Sequence, residues 1–166
     1  MLDSTTMVVD PTPSNLDLSL VSLFAGWAMG GEVQRRLTAD GLGELRFNDG
    51  VVFQHVLAGP LSISALAERM GVTQQAASKA VAELERRGLL RREPDPADAR
   101  TRLLHLTEQA SSAVEASRKH RAALEKELAD EFGAERIADA KALLAGILDR
   151  YGDPEAIRGR RVLPPR

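Results

Sequence analysis

Gln74, Gln75, Ser78 and Lys79 fall within two turns of any helix that carries them, directly behind Thr73. A carboxamide offers a donor and an acceptor side by side, which matches the edge of an adenine. A lysine donates to a guanine edge or to a phosphate, and a serine can do either. Arg100 and Arg102 follow further along, with Asp98 just before them, and Arg69 lies just ahead of the cluster. This is chemistry for holding a polyanion and reading its bases. It is not bond-breaking chemistry: no nucleophile elbow, phosphate-binding glycine loop or paired-histidine motif is present. His55, His105 and His120 lack a metal-ligand spacing, and the chain has no cysteine, so neither a metal, a cofactor nor a thiol-based sensor is expected.

The elements that would position these groups can be read by period. Ser62 is an N-cap, and Ile63, Leu66, Ala67 and Met70 recur at helical spacing. Gly71 ends that helix, Val72 links, and Thr73 caps a second helix from Gln74 to Arg87. Its inward face is Ala77, Ala80, Val81 and Leu84, and Gly88 stops it. Leu89 to Glu93 predicts a short strand. Pro94, Asp95, Pro96 and Asp98 are turn chemistry, and Thr101 to Leu106 predicts a second strand with Leu104 and Leu106 on one face. A helix-turn-helix followed at once by a two-stranded ribbon is a winged helix.

This segment resembles the MarR family of bacterial transcriptional regulators. The residues that carry the match are Leu66-Ala67-Glu68-Arg69-Met70-Gly71-Val72 and Ala77-Ser78-Lys79-Ala80-Val81-Ala82-Glu83-Leu84-Glu85-Arg86-Arg87-Gly88-Leu89. The ribbon Arg91-Arg92-Glu93-Pro94-Asp95-Pro96-Ala97-Asp98-Ala99-Arg100, leading to Leu106-Thr107, extends it. The resemblance implies a homodimer that binds an inverted repeat in double-stranded DNA, in most members as a repressor. It also implies that Arg100 enters the minor groove, where a narrow A·T-rich stretch concentrates negative potential. Thr73 would cap its helix and offer its hydroxyl to a phosphate. Arg102, Arg91, Arg92 and Arg69 are phosphate candidates, and Asp98 would structure the wing. Family members are usually released by small aromatic or anionic effectors bound between the dimer layer and the winged helices. Phe24, Trp27, Phe53 and His55 are the candidates to line such a pocket here, and each also reads as core packing. The chain departs from the commoner pattern at Ala76 and Ala77, where larger or β-branched residues often sit. Ala99 stands where a second arginine often precedes the wing arginine.

Around this segment the expected fold is mainly α with a small β wing. Residues 1–14 read as a loose arm and 15–40 as an N-terminal dimerisation helix. Residues 45–106 read as the winged helix-turn-helix, 107–151 as C-terminal dimerisation helices and 152–166 as a tail whose Arg158, Arg160 and Arg161 could meet phosphate. The first helix is expected to start at Ser14 or Asn15 and to be bent, or closely packed, at Gly30-Gly31. The last helix is expected to bury Ile137, Leu143, Leu144, Ile147 and Leu148. Apolar helices at both ends, with no strands to pack on, call for a second copy of the chain. Net charge is −2. From 62 to 105, however, eight Lys/Arg stand against six Asp/Glu, which leaves the excess of acid in the remainder. That weak basicity keeps open an alternative, a helical adaptor whose winged helix binds protein. No apolar run spans a bilayer and the N-terminus lacks a signal-peptide charge pattern, so a cytoplasmic location without membrane association is expected.

Overall fold

The computed structural model describes residues 12–43 and 45–154. Most of the arm 1–14 and of the tail 152–166, including the three tail arginines, lies outside the described residues. Eight elements follow in order: α1 (Leu18–Ala39), α2 (Phe47–Leu57), α3 (Ile63–Met70), α4 (Gln74–Arg86), β1 (Leu90–Pro94), β2 (Arg102–Leu106), α5 (Glu108–Phe132) and α6 (Ala134–Tyr151). The fold is mainly helical with one small antiparallel sheet, as the pattern of periods implied.

The helix ends show why the segments break where they do. Ser62 Oγ accepts from Ala65 N at 3.2 Å, and Thr73 Oγ1 from Ala76 N at 3.2 Å. Each supplies one of the acceptors that a helix start lacks, a contribution of about 1 kcal/mol. Gly71 closes α3 in the left-handed region at φ 65°, a conformation that any Cβ would strain. Gly88 does the same after α4 at φ 70°. Its carbonyl accepts from Thr107 Oγ1 at 2.7 Å, and that hydroxyl also caps α5 by accepting from Ala110 N at 3.2 Å. One threonine thus joins the end of α4 to the start of α5.

In the ribbon, Leu90 pairs with Leu106, Arg92 with Leu104 and Pro94 with Arg102. Leu61 adds an isolated bridge to Leu104, whose amide donates to the Leu61 carbonyl at 2.9 Å. The core gathers beneath this sheet from Val52, Phe53 and Val56 of α2, Leu66 of α3, Val81 and Leu84 of α4, and Leu89, Leu90, Leu104 and Ala110. Leu66, Val81 and Leu104 are wholly shielded. Burial of each such side chain contributes about 1.5–3 kcal/mol, which makes this the stable centre of the chain.

The outer helices differ from expectation in three ways. α1 starts at Leu18, because Asp17 rather than Ser14 or Asn15 is the cap: its carboxylate accepts from Ser19 N at 2.9 Å and Leu20 N at 3.1 Å. The helix then runs unbroken through Gly30-Gly31. A Cβ built on either glycine meets nothing within 4 Å, so the glycines neither end the helix nor pack closely within this chain. Finally, α6 buries none of its residues: Leu143 is 56% exposed, Leu144 41% and Leu148 50%. Within one chain α6 packs chiefly on α5, and a single neighbour cannot cover an apolar stripe. α1, whose buried residues are Val33 and Leu37, meets α5, and the two are joined by an ion pair from Arg36 to Glu127 at 2.6 Å and a hydrogen bond between His120 Nε2 and Asp40 Oδ2 at 2.7 Å.

Candidate nucleic-acid interface

Thr73 sets the start of α4, and the helix that follows turns Ala77, Val81 and Leu84 into the core. Ala80 is half-buried on the same side. The opposite edge is therefore free. Gln74, Gln75 and Lys79 are exposed and Ser78 half-exposed, and all four line one open depression together with Ile63 of α3 and Ala82. The four polar groups singled out from the sequence are thus brought together on one surface. The two alanines that depart from the family's commoner pattern separate: Ala77 is fully buried, and Ala76 is exposed.

The ribbon tip is built by two aspartates. Asp95 Oδ1 accepts from Ala97 N at 2.8 Å, and Asp95 N donates to Thr101 O at 2.9 Å. Asp98 Oδ1 accepts from Arg100 N at 3.0 Å and Oδ2 from Thr101 Oγ1 at 3.0 Å. Asp98 holds the Arg100 backbone, while the Arg100 side chain stands exposed at the tip.

The cations of the winged helix sort into two groups. Arg91 pairs with Glu93, whose other oxygen lies 3.3 Å from His105 Nε2. Arg92 reaches Glu85 at 2.8 Å, Arg86 reaches Glu83 at 2.8 Å, and Arg87 reaches Asp49 at 2.8 Å. Hydrogen bonding from Arg86 holds the Glu83 carboxyl below the usual carboxylate range. By contrast, Arg69, Lys79, Arg100 and Arg102 are exposed, and no described carboxylate lies within ion-pair reach of any of them. A charge already matched by a carboxylate has little left to offer a phosphate, whereas an unmatched one can displace counterions from DNA. Of the phosphate candidates, Arg91 and Arg92 are thus internally matched, and the other cations are not.

Sequence reasoning missed the Asp49–Arg87 pair. Asp49 is 7% exposed, accepts from Arg46 N at 2.8 Å at the start of α2, and grips the end of α4 through Arg87. No local period signals a pair between residues so far apart in the chain. The candidate effector residues fall into two places. Phe53 is packed in the core and His55 is buried on the same helix, whereas Phe24 and Trp27 stand on the open side of α1, their rings edge to face at 5.5 Å. Among the described residues no cluster of His, Asp or Glu could hold a metal ion, and no helix is long and apolar enough to cross a membrane.

This arrangement has known counterparts. The family model that matches is that of the MarR family, over residues 48–101. No curated protein matches the chain. Among solved structures, YusO from Bacillus subtilis is 24% identical, covering 82% of this chain and 94% of its own at a TM-score of 0.63. MepR, a transcription regulator from Staphylococcus aureus, is 20% identical with 81% and 98% covered and a TM-score of 0.61. A MepR mutant solved bound to an oligodeoxyribonucleotide is 21% identical, with 82% and 99% covered and a TM-score of 0.58. The MarR family is one of transcription regulators, not of enzymes. Residues 48–101 are thus similar to the MarR family, and the chain as a whole has the fold of these solved structures.

Proposed function

We propose that the chain is a sequence-specific regulator of transcription that binds double-stranded DNA as a homodimer on an inverted repeat and represses by occupying it. The observation that carries this reading is the sorting of charges. Of the unmatched cations of the winged helix, Lys79 lies on the polar edge of α4, Arg100 at the ribbon tip, Arg102 at the start of β2 and Arg69 in the last turn of α3, while the other arginines of the winged helix are matched within the fold. A major groove admits one helix, N-terminus first. In that pose Gln74, Gln75, Ser78 and Lys79 meet base edges and Thr73 meets phosphate, with Arg100 in the adjacent minor groove.

The second copy is supported by what the single chain leaves uncovered. Leu23, Phe24 and Trp27 on α1 and Leu143, Leu144, Leu148 and Tyr151 on α6 are large, apolar and exposed, with Trp27 at 63% and Tyr151 at 77%. A monomer in water rarely leaves so much apolar surface open. Two heads related by a twofold axis then meet one face of the duplex, with half-site centres about 10 base pairs apart. Any effector would have to bind one spacing of the heads better than the other, since equal binding shifts nothing.

Selection of bound fragments from a random duplex pool tests this reading. The expected result is an inverted repeat with that spacing, lost on Arg100→Ala while the dimer persists in sedimentation. A chain that recovers no duplex but captures a protein partner, with Arg100→Ala unchanged, would favour the adaptor reading instead.

A further inference from the structure

The depression on the reading edge of α4 is not uniformly polar. Gln74, Gln75, Ser78 and Lys79 surround a patch made by Ala82 and by Ile63, which reaches over from the first position of α3. Ala82 is exposed, and it lies two helical turns beyond the glutamines on the same side of the helix. Two other alanines of α4 differ from it: Ala77 is wholly buried and Ala80 half-buried. Ala82 faces the side on which the polar readers stand and has no packing role there.

Resting on the DNA-binding reading above, we infer that Ala82, backed by Ile63, is a specificity-determining residue that receives the 5-methyl group of a thymine. Ala82 and Ile63 offer neither donor nor acceptor. In the major groove every base presents hydrogen-bonding groups, and the thymine methyl is the one group that asks for none. A cytosine or adenine amino group pressed against this patch would lose its water without a replacement partner. The glutamines beside it suit adenine, so the depression as a whole matches a stretch of A·T pairs: carboxamides for adenine edges and an apolar patch for a thymine methyl. The short side chain of Ala82 also lets the α4 backbone come close to the base edge, which a longer residue would hold away.

The test uses the full chain and the duplex that it selects from a random pool. Each thymine is replaced in turn by uracil, which removes the 5-methyl group and leaves every hydrogen-bonding atom in place. The expected result is one thymine per half-site at which uracil weakens binding about fourfold, the worth of one buried methyl. In Ala82→Gly and Ala82→Ser the thymine-to-uracil ratio at that position should fall to about one. Reading a ratio cancels any general loss of helix stability, and the serine variant serves if the glycine variant does not fold. Tight binding of the selected duplex with uracil tolerated at every thymine would overturn this inference and leave the DNA-binding reading standing. A uracil effect that persists undiminished in both variants would overturn it as well. Failure to select any duplex would overturn the DNA-binding reading, and this inference with it.

Discussion

The winged helix and the helices that flank it solve opposite problems. Between Leu61 and Leu106 apolar side chains close on one another and leave cations unmatched at the surface. In the flanking helices it is apolar surface that stays open, although Arg118, Lys119 and Arg136 stand exposed there without an ion pair among the described residues as well. Arg35 and Arg36 are matched by Glu32, Arg36 also by Glu127, Lys126 by Asp130 and Lys141 by Glu125, while Leu20, Phe24, Trp27, Leu144 and Leu148 stay open. Unsatisfied charge suits a partner that brings negative charge, and unsatisfied apolar surface suits a partner that brings its own. On the proposed reading the two regions suit two different partners, a nucleic acid and a second copy.

The strongest way to break this contrast is to cut into both kinds of apolar surface. Leu66→Ala should destabilise the fold by about 2–5 kcal/mol in chemical denaturation, because a cavity opens in a closed core. Leu148→Ala should leave the stability of the separated chain almost unchanged. If the two cost the same in dilute protein, the flanking helices are core and not interface. Next in size, Trp27→Asp and Leu148→Asp should each weaken self-association by about thirtyfold or more, read by sedimentation across concentration, since each places a charge in a dry contact.

The contrast within the reading head is smaller. Gln75→Ala should flatten base preference at one position per half-site by about 1–3 kcal/mol. Arg102→Ala should weaken all sequences alike and, with two cations lost per dimer, lower the salt slope by about two units, whereas Arg91→Ala, which removes a cation already matched by Glu93, should leave that slope unchanged. Equal slopes for the two arginine variants would show that internal matching does not decide which cations meet phosphate.

The smallest effect is electrostatic and lies between α1 and α5. Hydrogen bonds from Arg35 and then Arg36 lower the Glu32 carboxyl to about 2, and Arg36 holds Glu127 below its ordinary value. A carboxyl whose folded value lies below its unfolded one stabilises the fold above the unfolded value of 4.5 and loses that contribution as pH falls toward about 2. Thermal unfolding of the full chain should therefore fall in that window, and Arg36→Gln should make the fall shallower. Because Arg35 and Glu127 are exposed and Glu32 and Arg36 only half-buried, screening keeps the effect small.

Much of this is legible in the residues themselves. Ser62, Gly71, Thr73 and Gly88 carry local capping and turn chemistry, so the bounds of α3 and α4 follow from neighbours along the chain. The Asp98 turn is likewise built from residues adjacent in sequence. What is not legible depends on other elements. Gly30-Gly31 reads as a bend, yet α1 continues, because a glycine in a helix costs little when neighbouring turns hold it. The stripe on α6 reads as buried by period alone, but period says which face is apolar and not whether anything covers it. Arg91 and Arg92 look as free as Arg102 along the chain, and only the fold sets Glu93 and Glu85 against them.

The central claim is that the unmatched cations and the polar edge of α4 form one grip on duplex DNA. It is tested most directly by the affinity for a random-sequence duplex across salt concentration, in the wild type and in a variant with Arg69, Lys79, Arg100 and Arg102 all replaced by alanine. The account predicts a linear fall of log affinity with log salt for the wild type and, with eight cations lost per dimer, a slope smaller by about seven units for the variant, with dimerisation intact. A wild-type chain that ignores duplex DNA at low salt, or a variant that keeps the full slope, would contradict it.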